Sequence, residues 1–411
     1  MHPYDDASGV SSPPSRPAPA ARTYPTDGDP ASQQPPSIFP AWYLNMLENE
    51  VLAVLTAASI APDKTNDGQL AAAIIALATG SAAVNNDNLL ANGAFAVNQR
   101  ARTSVADTQY DFDRWYALLQ SGAVAPSQLT DPEPGAATAA RYTQSQASAQ
   151  RIGRAQVIES LACRFLRSKP VTFSGRARMS AAGNLRYALC EWTGSADAVT
   201  RDLVNDWANG TYTAGNFFVS SNVNVLGVGS LAVTANTWAA FTLTATCGAA
   251  MENLFVFVWT EAAQAQNVTL DFNSCKLEPG ASATTFRPRA PAQELVLCKR
   301  YFRMSFPQGV TPAQAATIEG MFLQVQIVGS SQATNLFGTR FDDEMRAPPT
   351  IILFNPQAAN AQMRDISTGT DWANTVASNV ASNGFAITAV TPSGSSAGDG
   401  AGIHYTADAE L

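Results

Sequence analysis

The stretch YDFDRWY, residues 110–116, sets two carboxylates, one guanidinium and four aromatic rings side by side. Three chemistries are open to such a group: acid–base work by the carboxylate pair, contact with an ion or a sugar, or fastening of the fold. On a strand, alternation puts Asp111, Asp113 and Trp115 on one face, and Phe112, Arg114 and Tyr116 on the other. The two aspartates then stand about 6–7 Å apart at Cα, within the roughly 5–9.5 Å that glycosidase carboxyls require. Catalytic pairs, however, normally flank the sugar from different strands. Arg114 would also hold a neighbouring carboxylate ionised rather than protonated. Calcium could take Asp111 or Asp113 with loop oxygens, but no DxDxDG loop is present. The residues favour fastening, with Trp115 packed in the core and Arg114 satisfying carboxylates or loop carbonyls at a sandwich edge. Ion or sugar contact and catalysis stay as the alternatives, and no metal is expected.

A second aromatic group, Trp207, Tyr212, Phe217 and Phe218, lies in SADAVTRDLVNDWANGTYTAGNFF (195–218). Aromatic faces can carry a sugar ring through its C–H groups, so these four are the carbohydrate-binding candidates; core or subunit-interface packing is the competing reading. GVGSLAV (227–233) has the glycines of a phosphate loop without the Lys-Ser/Thr that would follow. His2 and His404 are the two histidines, one near each end, which leaves little room for histidine bases, triads or zinc ligation within one chain. Cys163, Cys190, Cys247, Cys275 and Cys298 are odd in number, widely spaced and set in or beside apolar runs. They read as reduced, buried fillers.

The elements that must position these residues change character along the chain. Residues 1–40 are proline-rich and poor in large apolar side chains, and cannot build a core. They read as an arm or tether. In residues 41–85, Leu44, Leu47, Val51, Val54 and Ala58 step by three and four. They give a helical seam too short to stand alone. DGQLAAAIIAL follows as a second helix with Asp67 as its N-cap. The seam can meet that helix or copies of itself. From residue 88 strand patterns dominate: 171–180, 185–194, 239–247, 254–262 and 268–280, then 321–329, 350–355, 384–390 and 402–411. Many antiparallel strands without intervening helices give a mainly β chain: a short N-terminal helical segment, a jelly-roll sandwich over 86–290 and a C-terminal β domain over 291–411. Charged residues are 14% and the net charge is −8, a profile of extracellular or virion β proteins with no field for nucleic acid. No apolar run is long enough to cross a bilayer as a helix. The N-terminus lacks the order of a signal peptide, so export by the general secretory route is not expected.

NLLANGAFAVNQRA (88–101) followed by YDFDRWY, RAQVIESLACRFLRSKPVTFSGRARMS (154–180) and KLEPGASATTFRPRAPAQELVLCKRYFRMS (276–305) resemble successive blocks of the carbohydrate-binding-like jelly roll of phage tail fibre and prophage structural proteins. YTADAEL at 405–411 resembles the terminus of such proteins, and 39–74 is similar to a helical phrase near tail-fibre N-termini. The segment 195–218 departs from the pattern by its length. The resemblance implies a non-enzymatic virion appendage without cofactors. Its N-terminal arm would contact other virion proteins, its β domains a host surface polysaccharide, and it would form a homotrimer. A head-decorating fibre or adaptor without a ligand, and a carbohydrate-active enzyme with an accessory module, are the rival readings.

Overall fold

The computed structural model describes residues 31, 41–82, 88–133 and 135–411. Apart from Ala31, the proline-rich arm expected over 1–40 lies outside the described residues. The chain divides into two compact units, Met1–Val84 and Asn85–Leu411.

The first unit holds two helices, α1 (Ala41–Ala57) and α2 (Gln69–Ala82). At their turn Asn66 accepts a bond from the Gly68 N–H, and Gln69 donates to the Ala61 carbonyl. The seam is not buried as its spacing suggests. Leu55 and Ala73 are fully enclosed, whereas Leu44 and Leu47 are 53% and 46% exposed. A hairpin of two helices encloses one line of contact, and these leucines lie off it.

The second unit is mainly β. Its strands begin with β1 (Val105–Ala106), β2 (Tyr116–Leu119), β3 (Ala123–Glu133), β4 (Ala136–Gln144) and β5 (Ile152–Ile158). A short helix α3 (Ser160–Cys163) leads into β6 (Pro170–Met179), β7 (Gly183–Trp192), β8 (Val223–Val233), β9 (Ala239–Thr246), β10 (Asn253–Thr260) and β11 (Thr269–Pro279). They form a jelly-roll sandwich of a six-stranded sheet, β1-β3-β4-β11-β6-β9, on a five-stranded sheet, β2-β5-β10-β7-β8. Between them lies one core, with Tyr142, Phe173, Met179, Leu270 and Phe272 facing Ile152, Leu189, Leu254, Val256 and Val258.

A second core covers the outer face of the five-stranded sheet. Leu203, Val204, Phe217 and Phe218 from the long 195–218 segment pack on Ala155, Val157, Cys190, Phe255, Phe257 and Trp259. The extra length therefore serves to bury this sheet on both faces. That is why β10 is apolar at every position from Leu254 to Trp259 instead of alternating.

Residues 291–299 correct the sequence reading, which started the C-terminal β region there. They form helix α4 (Pro291–Lys299), with proline at its start, Glu294 in the first turn and Lys299 in the last. Then come β12 (Phe302–Met304), β13 (Phe322–Val325), β14 (Ala333–Arg340), β15 (Thr350–Phe354), β16 (Arg364–Asp365), β17 (Ala373–Ala381), β18 (Gly384–Val390) and β19 (Gly400–Asp408). β19 is the spine of one sheet. Its first half lies between β13 and β16 and its second half between β12 and β15. β14-β18-β17 make a three-stranded sheet, and Met363, Trp372, Ile387, Ile403 and Ala407 fill the core of this region.

Candidate functional site

YDFDRWY is not a strand through its centre. Tyr110 and Tyr116 bridge each other, and Asp111 and Phe112 bond with Trp115 through their backbones, closing a tight loop. Arg114 sits at its tip with φ of 70°, a left-handed conformation uncommon for a bulky residue. The expected two-face alternation therefore fails, and all seven side chains point into protein.

Each charge in the loop has a partner. Asp111 pairs with Arg154, which is itself packed over the Tyr142 ring at 3.9 Å. Asp113 accepts from the Gln99 N–H at 2.7 Å and from the Gln99 amide at 2.6 Å. The Trp115 indole donates to the Asn92 carbonyl at 3.1 Å. Arg114 pairs with Glu410, donates to the Val157 carbonyl, and lies 3.5 Å over the Tyr301 ring. Burial pushes both aspartates up from the usual carboxylate range, with Arg154 opposing it at Asp111 and Arg100 at Asp113. Burial works against the Arg114 charge, but Glu410 and Tyr301 outweigh it and raise its pKa. The loop therefore joins the jelly roll to the last residues of the sequence. Tyr110 adds a 3.0 Å bond to the Leu411 carbonyl.

Of the carbohydrate candidates, Phe217 and Phe218 need correction. Phe217 and Phe218 are 1% and 0% exposed and offer no face to a ligand. Phe217 stacks on Trp259 at 5.0 Å. Trp207 packs edge-on against Phe217 and Phe257, and Tyr212 against Phe217 and Trp259. Both are half-buried at the rim of the second core. The five-stranded sheet was the one that needed covering, and these aromatics are its cover.

With that sheet covered, the outer face of the six-stranded sheet remains, and it is polar. Arg141 on β4, Asp271 on β11 and Arg178 on β6 stand directly opposite one another across three strands. Asp271 is enclosed between the two guanidiniums, with bonds of 2.7 and 2.9 Å from Arg141 and of 2.9 and 2.7 Å from Arg178. Trp238, just before β9, lies half-buried with Arg178 stacked 4.7 Å from its ring. Its indole donates to the Pro132 carbonyl at 3.3 Å.

The β3–β4 hairpin thus arches over the sheet. Under it Glu133 receives two bonds from Arg176 and one from the Asn273 amide. The Asn273 Oδ1 below has no hydrogen-bond partner among the described residues. A recess of about 690 Å³ is lined by Asp131, Pro132, Glu133, Gly135, Ala136 and Ala137 at the arch. At the other end of the face, residues 280–284 fold over: Thr172 bonds to the Gly280 carbonyl, and Thr284 bonds to Glu278. Between these two covers Arg141, Arg178 and Trp238 are partly exposed above the buried Asp271. Arginine forks fixed by a carboxylate, beside an indole, suit a ligand rich in hydroxyls and C–H faces.

Sequence reasoning did not single out this row. The signal was there: Arg176 and Arg178 lie two apart in FSGRARM, as do Asp271 and Asn273 in LDFN, so each pair shares a strand face.

The remaining candidates are structural. The five cysteines are buried and unpaired. His404 stacks on Phe306 at 4.0 Å between Ser305 and the Thr317 carbonyl, and burial lowers its pKa. Among the described residues no cluster of three or more metal-ligating side chains occurs, and no helix is long and apolar enough to cross a membrane.

No family model matches the chain, and no curated protein matches it. Among solved structures the neighbours include carbohydrate-binding modules. A family 61 module in complex with β-1,4-galactotriose is 9% identical, covering 47% of this chain and 99% of its own, with a TM-score of 0.29. A putative sugar-binding protein from Bacteroides thetaiotaomicron is 12% identical over 47% of this chain and all of its own, with a TM-score of 0.28. The enzymatically active domain of tailspike protein 4 of bacteriophage CBA120 is 10% identical over 47% of this chain and 21% of its own, also with a TM-score of 0.28.

Proposed function

We propose that the chain is a glycan-binding structural protein of a phage tail fibre or fibre-like appendage, holding host surface polysaccharide on the outer face of its six-stranded sheet. One observation carries the reading. Among the described residues nothing covers the middle of the outer face of the six-stranded sheet, where Asp271 fixes the partly exposed Arg141 and Arg178 beside Trp238. Each arginine holds Asp271 through Nε and Nη2, which leaves its Nη1 group for ligand hydroxyls, and Trp238 supplies an apolar surface for a ring.

In this reading the N-terminal arm attaches to other virion proteins, as the resemblance to tail fibres implies. The chain works as a homotrimer, which multiplies a weak sugar site by presenting several copies together. The protein binds without hydrolysing, since Asp111 and Asp113 are engaged by Arg154 and Gln99 in the interior rather than facing a cleft.

Incubation of the full chain with host surface polysaccharide tests both halves. Co-sedimentation without new reducing ends is the expected outcome. New reducing ends that disappear in Asp111→Asn or Asp113→Asn would overturn the non-enzymatic half, and absence of co-sedimentation the binding half.

A further inference from the structure

Asp271 carries one negative charge and holds two guanidiniums, so the row it shares with Arg141 and Arg178 keeps one positive charge in excess. The other charged side chains on the strands of the six-stranded sheet are Arg176 with Glu133, Lys276 with Glu278, and Asp131. By number the cations and carboxylates of the sheet cancel, but they do not lie at one depth. Arg141, Arg176 and Arg178 are 29%, 40% and 19% exposed, whereas Asp271 and Glu133 beneath them are 1% and 12% exposed. Lys276 and Glu278 are buried against each other and Thr284. Asp131 stands at the far end of the β3–β4 hairpin, on the recess under the arch.

The three arginines are held in the same way. Each gives Nε and Nη2 to its carboxylate. The Nη1 group of each makes no hydrogen bond among the described residues and is not enclosed. Strand register fixes Arg141 and Arg178 on either side of Asp271, and the Trp238 ring lies 4.7 Å from the Arg178 guanidinium. Arg176 and Arg178 are two residues apart on β6, about 6–7 Å at Cα. The free amino groups therefore follow one another along the strand, which suits an anion repeated along a polymer better than a single small one.

We propose that the polysaccharide taken by this face is acidic, a polymer of uronic or other carboxylate-bearing sugars, with one carboxylate over Asp271 received by the Nη1 groups of Arg141 and Arg178 and the next sugar reaching Arg176. This rests on the reading of the face as a glycan site and names the class of glycan. A neutral sugar can bond to the same amino groups through its hydroxyls, but it leaves the excess positive charge of the row uncompensated. A carboxylate accepts the bonds and neutralises the charge together. A chain of net charge −8 repels an acidic polymer as a whole, which favours contact where guanidiniums lie outermost and carboxylates beneath.

Calorimetric titration of the full-length protein with polygalacturonate, alginate and hyaluronan tests this, each polymer alongside its carboxyl-reduced form, in which the uronates have become neutral hexoses. At least one acidic polymer is expected to bind about tenfold or more tightly than its reduced form, the scale of one charged hydrogen-bonded contact, and added salt is expected to shrink that advantage. Arg141→Gln leaves Asp271 paired with Arg178 and takes away the excess charge. It is expected to bind the acidic and reduced forms alike, with a melting temperature near wild type. Equal wild-type affinity for the two forms overturns the inference and leaves the face a site for neutral glycan. An acidic preference that persists in Arg141→Gln places the anion on another surface and overturns it too. Binding of none of the acidic polymers overturns the inference alone when host surface polysaccharide still co-sediments with the chain, and the glycan reading with it when that polysaccharide does not.

Discussion

Arg114 and Glu410 form a buried ion pair across 296 residues of sequence. Arg114 is held in a left-handed conformation at the tip of the loop 110–116, and Glu410 is held by Arg100 as well, at 3.2 Å. The pair therefore ties the jelly roll to the strand that ends the C-terminal sheet. Removing Glu410 leaves Arg114 buried without its counterpart, at a cost of about 3–5 kcal/mol of stability, whereas removing Arg114 leaves Glu410 paired with Arg100. Glu410→Ala should therefore cost about 3–5 kcal/mol and Arg114→Ala less, and the double variant should cost less than their sum. Additive losses in equilibrium unfolding would show that the two side chains do not depend on each other.

Phe217 should behave as a core residue and not as a ligand contact. It is stacked on Trp259 and encloses the outer face of the five-stranded sheet. Phe217→Ala is expected to cost about 3–5 kcal/mol of stability while leaving the glycan affinity of the folded protein unchanged. Thermal melts alongside polysaccharide titrations separate the two. A variant of wild-type stability that no longer binds would return the 195–218 aromatics to the ligand site.

Glu159 gives a pH signature. It lies at the end of β5, and although its burial acts to raise its pKa, bonds from Arg300 and Tyr301 hold it below the usual glutamate value. A depressed folded pKa means that the unfolded chain takes up the proton first as pH falls. The contribution is therefore present above the ordinary glutamate pKa of about 4.3 and is lost on acidification through the lower folded value. The stability difference between wild type and Glu159→Gln should be largest near neutral pH and shrink below about pH 4. A difference that is flat with pH would mean that the Arg300 and Tyr301 bonds do not favour the ionised form.

The sequence made some of this legible and hid the rest for physical reasons. The strands of the jelly roll were readable because β-branched and aromatic runs ended at turn residues, as in 171–180 and 268–280. Helix α4 was missed because nine residues give little periodicity, although proline at its start and lysine at its end marked it. The YDFDRWY loop was read as a strand because the resemblance to the jelly roll placed it on one. What decides its shape is the set of distant partners, Arg154, Gln99 and Glu410, which no local pattern reveals. The aromatics of 195–218 left a sugar platform and core packing both open, because the sheet they cover is apolar on both faces, and that property belongs to β10, about 40 residues away. The site row stayed hidden because Arg141, Asp271 and Arg178 come from three strands and meet only through register.

Glycan binding by the uncovered sheet face is the central claim, and calorimetric titration of the full-length protein with host surface polysaccharide tests it most directly. Wild type should show saturable binding. Trp238→Ala and Arg178→Lys, which keeps a charge beside Asp271, should each weaken it at least about tenfold, the equivalent of roughly 1.4 kcal/mol, with melting temperatures near wild type. Binding that is absent in wild type, or that survives both substitutions unchanged, would contradict the assignment of this face.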